Sequence, residues 1–111
     1  EAAGRALATA RAIARRLPVE VPELSAGIGV AFGDAVAGNV GDERRFEFTV
    51  IGDPVNEASR LTELAKSFDK LVLASADAVS AAPVGERSRW KDAGSVQLRG
   101  RDRVTRLFQP S

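Results

Sequence analysis

The sequence predicts an α+β fold in which helices cover a mostly antiparallel sheet. Three patterns support this prediction. Residues 1–17 repeat apolar side chains at helical spacing, as a helix with one buried face does. Residues 46–51 alternate between two faces, as a strand does, and a helical pattern follows them. Residues 95–99 and 103–108 alternate in the same way around a short polar turn, which is typical of a hairpin.

The first helix is predicted over residues 1–17, and Pro18 is expected to end it because proline has no N–H to donate. The arginines on its polar sides are expected to be solvated, with an anion-binding or membrane-facing surface as the alternative. Its apolar side is rich in alanine, so we expect it to pack closely against the sheet. That side consists of Ala3, Leu7, Ala10, Ala14 and Leu17.

A strand is predicted from Ser25 to Phe32. Its larger apolar residues alternate with Gly27, Gly29 and Ala31, so one of its faces is small. A face of this kind either accepts a closely packed helix or leaves room for a ligand. We expect a packed helix, because packing is the more common reason for small residues in a strand.

A long hairpin is predicted to follow this strand. Gly33 favours a bend, after which residues 36–40 resume the extended pattern. Residues 41–45 are polar and turn-like, and they lead the chain back into the strand at residues 46–51. The hairpin therefore has a charged tip.

The central helix carries the polar pair on which the functional argument depends. Gly52 interrupts the strand, Asp53 is a good N-cap, and Pro54 suits the first helical position. Asn56 and Arg60 are separated by one helical turn and leave the same face. The apolar stripe on the opposite face is Pro54, Ala58, Leu61 and Ala65. Such an amide and guanidinium are suited to binding phosphate. The alternative is that Asn56 and Arg60 are ordinary solvated side chains.

The remainder of the chain is predicted to complete the sheet. Residues 71–74 are a short apolar run that fits a buried strand. Ser75 can cap a brief helix over residues 76–82, and Pro83 closes that helix. Trp90 is expected to pack on the sheet ahead of the second hairpin.

Composition excludes several kinds of chemistry. The 111 residues include neither Cys nor His, which rules out disulfides, thiol nucleophiles and the usual serine-hydrolase triad. A net charge of +1 gives no electrostatic case for binding nucleic acid. No apolar run approaches the ~20 residues of a membrane span, so we expect no membrane contact from this segment. Any chemistry must therefore rest on carboxylates, Lys, Arg, Asn, hydroxyl groups or a metal.

Residues 49–61 resemble the signature of class III adenylate and guanylate cyclases. Residues 27–33 and 36–41 resemble the strand that precedes this signature in the family, and they occur in the right order. The resemblance spans residues 25–109. It implies a ferredoxin-like catalytic domain, of which residues 1–111 form the C-terminal portion. It also implies that two such domains pair head to tail, as a homodimer, with active sites at their interface.

The resemblance implies roles for four residues of this chain. Asn56 is expected to orient the ribose of the substrate, and Arg60 to stabilise the charged phosphates in the transition state. Thr49 falls where the family places a residue that selects the purine, and a Thr there accompanies the use of ATP. Arg99 stands in place of the Lys that contacts the terminal phosphates, which keeps the charge and alters its geometry.

The family binds its metals through two Asp residues, and a purine-selecting Lys precedes the second of them. All three lie upstream of the helix at residues 1–17, so this chain is expected to lack the metal-binding portion. Its own aspartates occupy predicted turns, caps and loops: Asp34, Asp42, Asp53, Asp69, Asp77, Asp92 and Asp102. The resemblance thus implies Mg²⁺ or Mn²⁺ in the complete enzyme, with no metal ligand in this chain. We expect the fragment alone to be inactive.

The leading interpretation is part of a bacterial-type adenylate cyclase that converts ATP to cyclic AMP and pyrophosphate in the cytoplasm, where the parent can be membrane-tethered. The alternative is a non-catalytic cyclase-like module that binds nucleotide or a partner cyclase domain. The presence of both Asn56 and Arg60 favours the enzyme. A ferredoxin-like module that binds RNA on its sheet is disfavoured by the near-neutral charge and by the absence of Tyr.

Overall fold

The structure is a computed structural model. It describes residues 2–23, 26–33, 36–42, 45–51, 53–98 and 104–111, and of residues 36–42 and 45–51 it describes the strands and not the side chains. In chain order the described elements are α1 (Ala2–Glu20), β1 (Ile28–Val30), β2 (Val36–Asp42), β3 (Arg45–Ile51), α2 (Asp53–Ala65), β4 (Val72–Ser75), α3 (Ala76–Ser80), α4 (Val84–Arg87), β5 (Trp90–Val96) and β6 (Thr105–Pro110).

The strands form two sheets. A four-stranded sheet has the order β1-β4-β6-β5, in which β1 and β4 are parallel and the other neighbours are antiparallel. Strands β2 and β3 pair with each other as an antiparallel hairpin. The predicted α+β class, the mostly antiparallel pairing and both hairpins are confirmed.

Helices cover both faces of the four-stranded sheet. Strand β4 is buried along its whole length, and its successive side chains point to opposite faces. Val72 and Ala74 pack with α1 and α3, whereas Leu73 packs with α2 and β6. The apolar side predicted for α1 lies on the first of these faces, where Leu7 is completely buried.

Helix α1 continues past Pro18, so the prediction that this residue ends the helix is wrong. Proline removes only its own N–H, and the next turn keeps its bonds. The N–H of Val21 donates to the carbonyl of Leu17 at 2.8 Å. Arg16 and Glu20 also form an ion pair across the last turn, with 2.6 Å between Nε and Oε2.

Several predicted boundaries shift. Strand β1 covers only Ile28–Val30 and not the predicted Ser25 to Phe32. Residues 41, 42 and 45 of the predicted turn belong to β2 and β3, and α3 ends at Ser80 instead of residue 82.

Helix α2 begins at Asp53, which therefore lies in the first turn and not at the N-cap before it. An acidic side chain in a first turn still favours the helix, because the exposed N–H groups there carry partial positive charge. Strand β5 begins at Trp90, earlier than the predicted Ser95, and Trp90 is buried in the core as expected.

None of the helices that the structure describes combines the length and the apolar character needed to cross a bilayer.

Candidate functional site

Helix α2 lies directly against the glycine face of β1. A Cβ added to Gly27 would be 2.2 Å from the carbonyl oxygen of Thr62, and a Cβ added to Gly29 would be 2.4 Å from that of Ala58. Both distances are shorter than atoms can approach, so these positions admit only glycine without a backbone shift. The small face of β1 therefore packs against a helix, which confirms the expectation from the sequence.

The same contact sets the direction of α2. A Cβ on Gly33, beyond the end of β1, would be 2.6 Å from Cγ of Pro54 in the first turn of the helix. Gly27, before the start of β1, lies near Ala65 in the last turn. Helix α2 thus runs antiparallel to β1, and its first turn lies at the end of the sheet to which β1 leads.

Asn56 and Arg60 are both exposed on α2, whereas Leu61 and Ala65 are completely buried on its other side. The predicted placement of the pair is therefore confirmed. Within the described part of the chain, neither side chain forms a hydrogen bond or an ion pair with another residue. An amide and a guanidinium one turn apart, fixed by a buried helix, form a surface that can hold phosphate and sugar oxygens.

Glu57 is a buried carboxylate that the sequence analysis did not single out. It is 4% exposed and directly follows Asn56 in α2. Its Oε2 accepts a hydrogen bond from the Oγ1 of Thr105, which is also 4% exposed, at 3.2 Å. This bond ties the helix that carries Asn56 and Arg60 to the first residue of β6. Helical spacing could have revealed Glu57, because it precedes the buried Leu61 by one turn.

Two of the four predicted residues, Thr49 and Arg99, have side chains that the structure does not describe. Thr49 lies on β3 opposite Gly38, two residues before that strand ends at Ile51, and its side chain is outside the description. Arg99 lies outside the described residues. The described geometry therefore concerns Asn56 and Arg60, and the placement of Thr49 and Arg99 in a site stays a prediction.

The described residues do not fit a metal ion. Among them no group of three or more His, Cys, Asp or Glu side chains lies close enough together to hold one. The carboxylates nearest to the candidate pair along α2 are Asp53, Glu57 and Glu63; Glu57 is buried beside Thr105, and Glu63 pairs with Lys66 at 3.5 Å. We assign no metal ligand in this part of the chain.

Comparison with known proteins identifies the family. Residues 3–109 match the model of the adenylate and guanylate cyclase catalytic domain. Two uncharacterised proteins of Mycobacterium tuberculosis, Rv1318c and Rv1320c, are 60% and 58% identical to this chain over 96% and 95% of its length. The chain spans 20% and 18% of the length of these relatives, so it corresponds to about a fifth of each.

Solved structures share the fold. The adenylyl cyclase CyaB from P. aeruginosa matches with a TM-score of 0.59 and 27% identity, over 73% of this chain and 39% of that one. A bacterial light-regulated adenylyl cyclase matches with a TM-score of 0.69 and 20% identity, over 95% of this chain and 53% of that one. From its match to the family model over nearly its whole length, we conclude that the chain belongs to the family of adenylate and guanylate cyclase catalytic domains.

Proposed function

We propose that this domain is part of an adenylate cyclase, which converts ATP to cyclic AMP and pyrophosphate at the interface of a homodimer. The observation that carries the proposal is the exposed pair Asn56 and Arg60 on a helix locked against β1. The family supports a cyclase, and the likeness to the adenylyl cyclase CyaB at 27% identity supports ATP as the substrate.

The chemistry explains why this pair suits the reaction. The ribose 3′ oxygen attacks the α-phosphate while pyrophosphate leaves. The phosphate oxygens are therefore the atoms whose negative charge changes most during the reaction. The guanidinium of Arg60, carried on a helix that packs tightly against β1, stabilises that charge more in the transition state than in bound ATP. The amide of Asn56 can donate to one ribose oxygen and accept from another, which holds the ribose in line for attack.

Two further residues complete the proposed nucleotide site. Thr49, near the end of β3, helps to select adenine, and Arg99 contacts the terminal phosphates. The ligands of the divalent metal, Mg²⁺ or Mn²⁺, are proposed to lie outside this chain. Because ATP is the substrate, we expect the domain to work in the cytoplasm.

A second copy of the domain is the proposed partner. Asn56 and Arg60 face solvent on the surface of α2 that points away from the core. A second domain seated over this surface would enclose the nucleotide and exclude water from the phosphates. The catalytic pair of one copy would then act together with residues of the other.

The second candidate function is a cyclase-like module that binds nucleotide without turning it over. The observation that favours it is the exposed pair itself, because an amide and a guanidinium can hold phosphate and sugar oxygens without any turnover. Such a module would still use Asn56 and Arg60 to hold a nucleotide.

The two functions are separated by one assay on the natural full-length protein. Purified protein is incubated with ATP and Mn²⁺, and cyclic AMP and nucleotide binding are both measured. The enzyme proposal expects cyclic AMP well above a buffer blank. Binding of ATP without any cyclic AMP would overturn the proposal and identify the non-catalytic module.

A further inference from the structure

A cavity of about 530 Å³ opens at the end of the sheet that lies away from Asn56. The first turn of α2 lies near Gly33, and its last turn near Gly27. The cavity is lined in part by Leu71, whose carbonyl oxygen accepts a hydrogen bond of 2.9 Å from the N–H of Ile28 at the start of β1. The cavity is therefore separate from the proposed nucleotide site, which lies toward the other end of β1.

Positive charge dominates the lining of this cavity. Its charged side chains are Arg11, Arg15, Lys70 and Arg89, with Asp69 as the opposing carboxylate. Arg15 and Lys70 form no hydrogen bond or ion pair with another residue in the described part of the chain. Uncompensated charge of one sign in a concave wall concentrates ions of the opposite sign. The lining thus favours an anion.

One wall of the cavity is held rigidly. The Nε and Nη2 of Arg11 each lie 2.7 Å from a carboxylate oxygen of Glu86, and Trp90 Nε1 donates to the same carboxylate at 2.8 Å. The hydrogen bonds from Arg11 lower the pKa of Glu86, although burial opposes them, and the bond from Trp90 adds to the effect. Glu86 neutralises Arg11, so the positive excess comes from the other cations.

The remaining lining is apolar apart from Ser88 and Ser111, and it includes a strained residue. Ala14, Pro18, Leu71 and Pro110 form this part of the wall. Leu71 has a φ of 61°, a left-handed conformation that is uncommon for a residue with a bulky side chain and that clusters at functional sites. The volume also falls within the range of small-molecule sites, roughly 300–1,000 Å³.

We propose that this cavity binds a small phosphate monoester, with the phosphate between Arg15 and Lys70 and the organic group on the apolar wall. Two cations that are unpaired among the described residues favour a dianion over a single carboxylate, because each can contribute a charge-assisted hydrogen bond. The apolar wall favours a monoester over inorganic phosphate, because only the monoester has a body that can cover it. Arg15 of α1 would then bind an anion, which is the alternative to simple solvation of the arginines on this helix.

The test is isothermal titration calorimetry of the natural full-length protein with phenyl phosphate, a monoester that lacks a nucleoside. Arg60→Ala, in the proposed nucleotide site, should leave the Kd for phenyl phosphate unchanged. We expect Arg15→Glu or Lys70→Glu to raise its Kd on the order of 10-fold or more, because each replaces a charge-assisted contact with repulsion. Arg5→Glu, on an exposed position of the same helix outside the cavity, is the matched control and should leave Kd unchanged.

The other outcomes overturn the proposal. No binding of phenyl phosphate, or a Kd that neither charge reversal changes, would mean that the cavity is not the site. If inorganic phosphate binds as tightly as phenyl phosphate, the apolar wall contributes nothing to binding. If phenol binds as tightly as phenyl phosphate, the cations contribute nothing. If Arg15→Glu lowers the melting temperature, Arg15→Gln takes its place, because it removes the charge and keeps a polar side chain of similar length.

Discussion

Ala58 lies so close to Gly29 that a Cβ on Gly29 would be 2.4 Å from the Ala58 carbonyl oxygen. Ala58 stands between Asn56 and Arg60 in α2. The contact that fixes the helix on the sheet therefore lies in the same turn as the proposed catalytic pair, and a shift of the helix there would move both side chains. Glycine at position 29 is thus a requirement of the site as well as of the fold.

Gly29→Ala should destabilise the protein, because the added methyl group overlaps the backbone of Ala58 and the backbone N of Thr62, 2.6 Å away. Overpacking of this kind costs about 1–3 kcal/mol in the free energy of unfolding, which urea denaturation can measure. The control is Gly85→Ala in α4, where a Cβ meets nothing within 4 Å. It should be neutral or stabilise the helix by up to about 1 kcal/mol. Equal stability of Gly29→Ala and the natural protein would contradict the packing.

Thr105→Val should also destabilise the protein, because it removes the hydroxyl that donates to the buried carboxylate of Glu57. Leaving a buried acceptor without this donor costs about 1–3 kcal/mol. Combined with Glu57→Leu in a double-mutant cycle, it should show a coupling energy of about 0.5–3 kcal/mol. Glu63→Gln, on an exposed position of the same helix, is the control and should change stability by less than about 0.5 kcal/mol. A coupling energy of zero would mean that this hydrogen bond does not stabilise the fold.

Sequence patterns predicted what depends on local spacing and missed what depends on the fold around it. The exposed face of Asn56 and Arg60 and the packing of Gly27 and Gly29 followed from periodicity alone. The end of α1 was predicted wrongly, because the following turn keeps its hydrogen bonds and the helix continues through Pro18. Glu57 was overlooked because its charge suggested an exposed position.

The pairing of strands that are far apart in the chain could not be predicted from local sequence patterns. Strands β1 and β4 are parallel neighbours, with Ile28 paired to Val72, although β2, β3 and α2 separate them in the chain. No local pattern specifies a partner at that distance. The early start of β5 was missed for a related reason: the irregular register between Asp92 and Gly94 interrupts the alternation that would have revealed it.

Acid should weaken the contact between α1 and α4. Because Arg11 lowers the pKa of Glu86 from its usual 4.5, the unfolded chain binds this proton more readily than the folded one. The stabilisation is therefore complete above that usual pKa and is lost as the pH falls through the lower folded value. We expect Glu86→Gln to reduce the fall in melting temperature between neutral pH and about pH 3. Glu20→Gln, in the exposed pair with Arg16, should leave that fall unchanged. Identical profiles for Glu86→Gln and the natural protein would contradict the assignment.

The natural full-length protein should prefer ATP to GTP. A Thr at position 49 can bridge to a Lys that recognises adenine, whereas guanine recognition in this family favours an acidic residue and a small polar residue. The measurement is kcat/KM for each nucleotide under the same metal conditions. Comparable values for ATP and GTP would remove Thr49 from the account of specificity.

The central claim is that Arg60 acts on the transition state, and Arg60→Ala in the natural full-length protein tests it most directly. Its side chain is exposed and makes no contact that the described core needs, so the melting temperature should change little. Removing one donor that acts on the transition state lowers kcat on the order of 10²–10³-fold, and KM for ATP should stay nearly constant. A loss confined to KM would make Arg60 a binder of ground-state ATP, and an unchanged kcat would contradict the account.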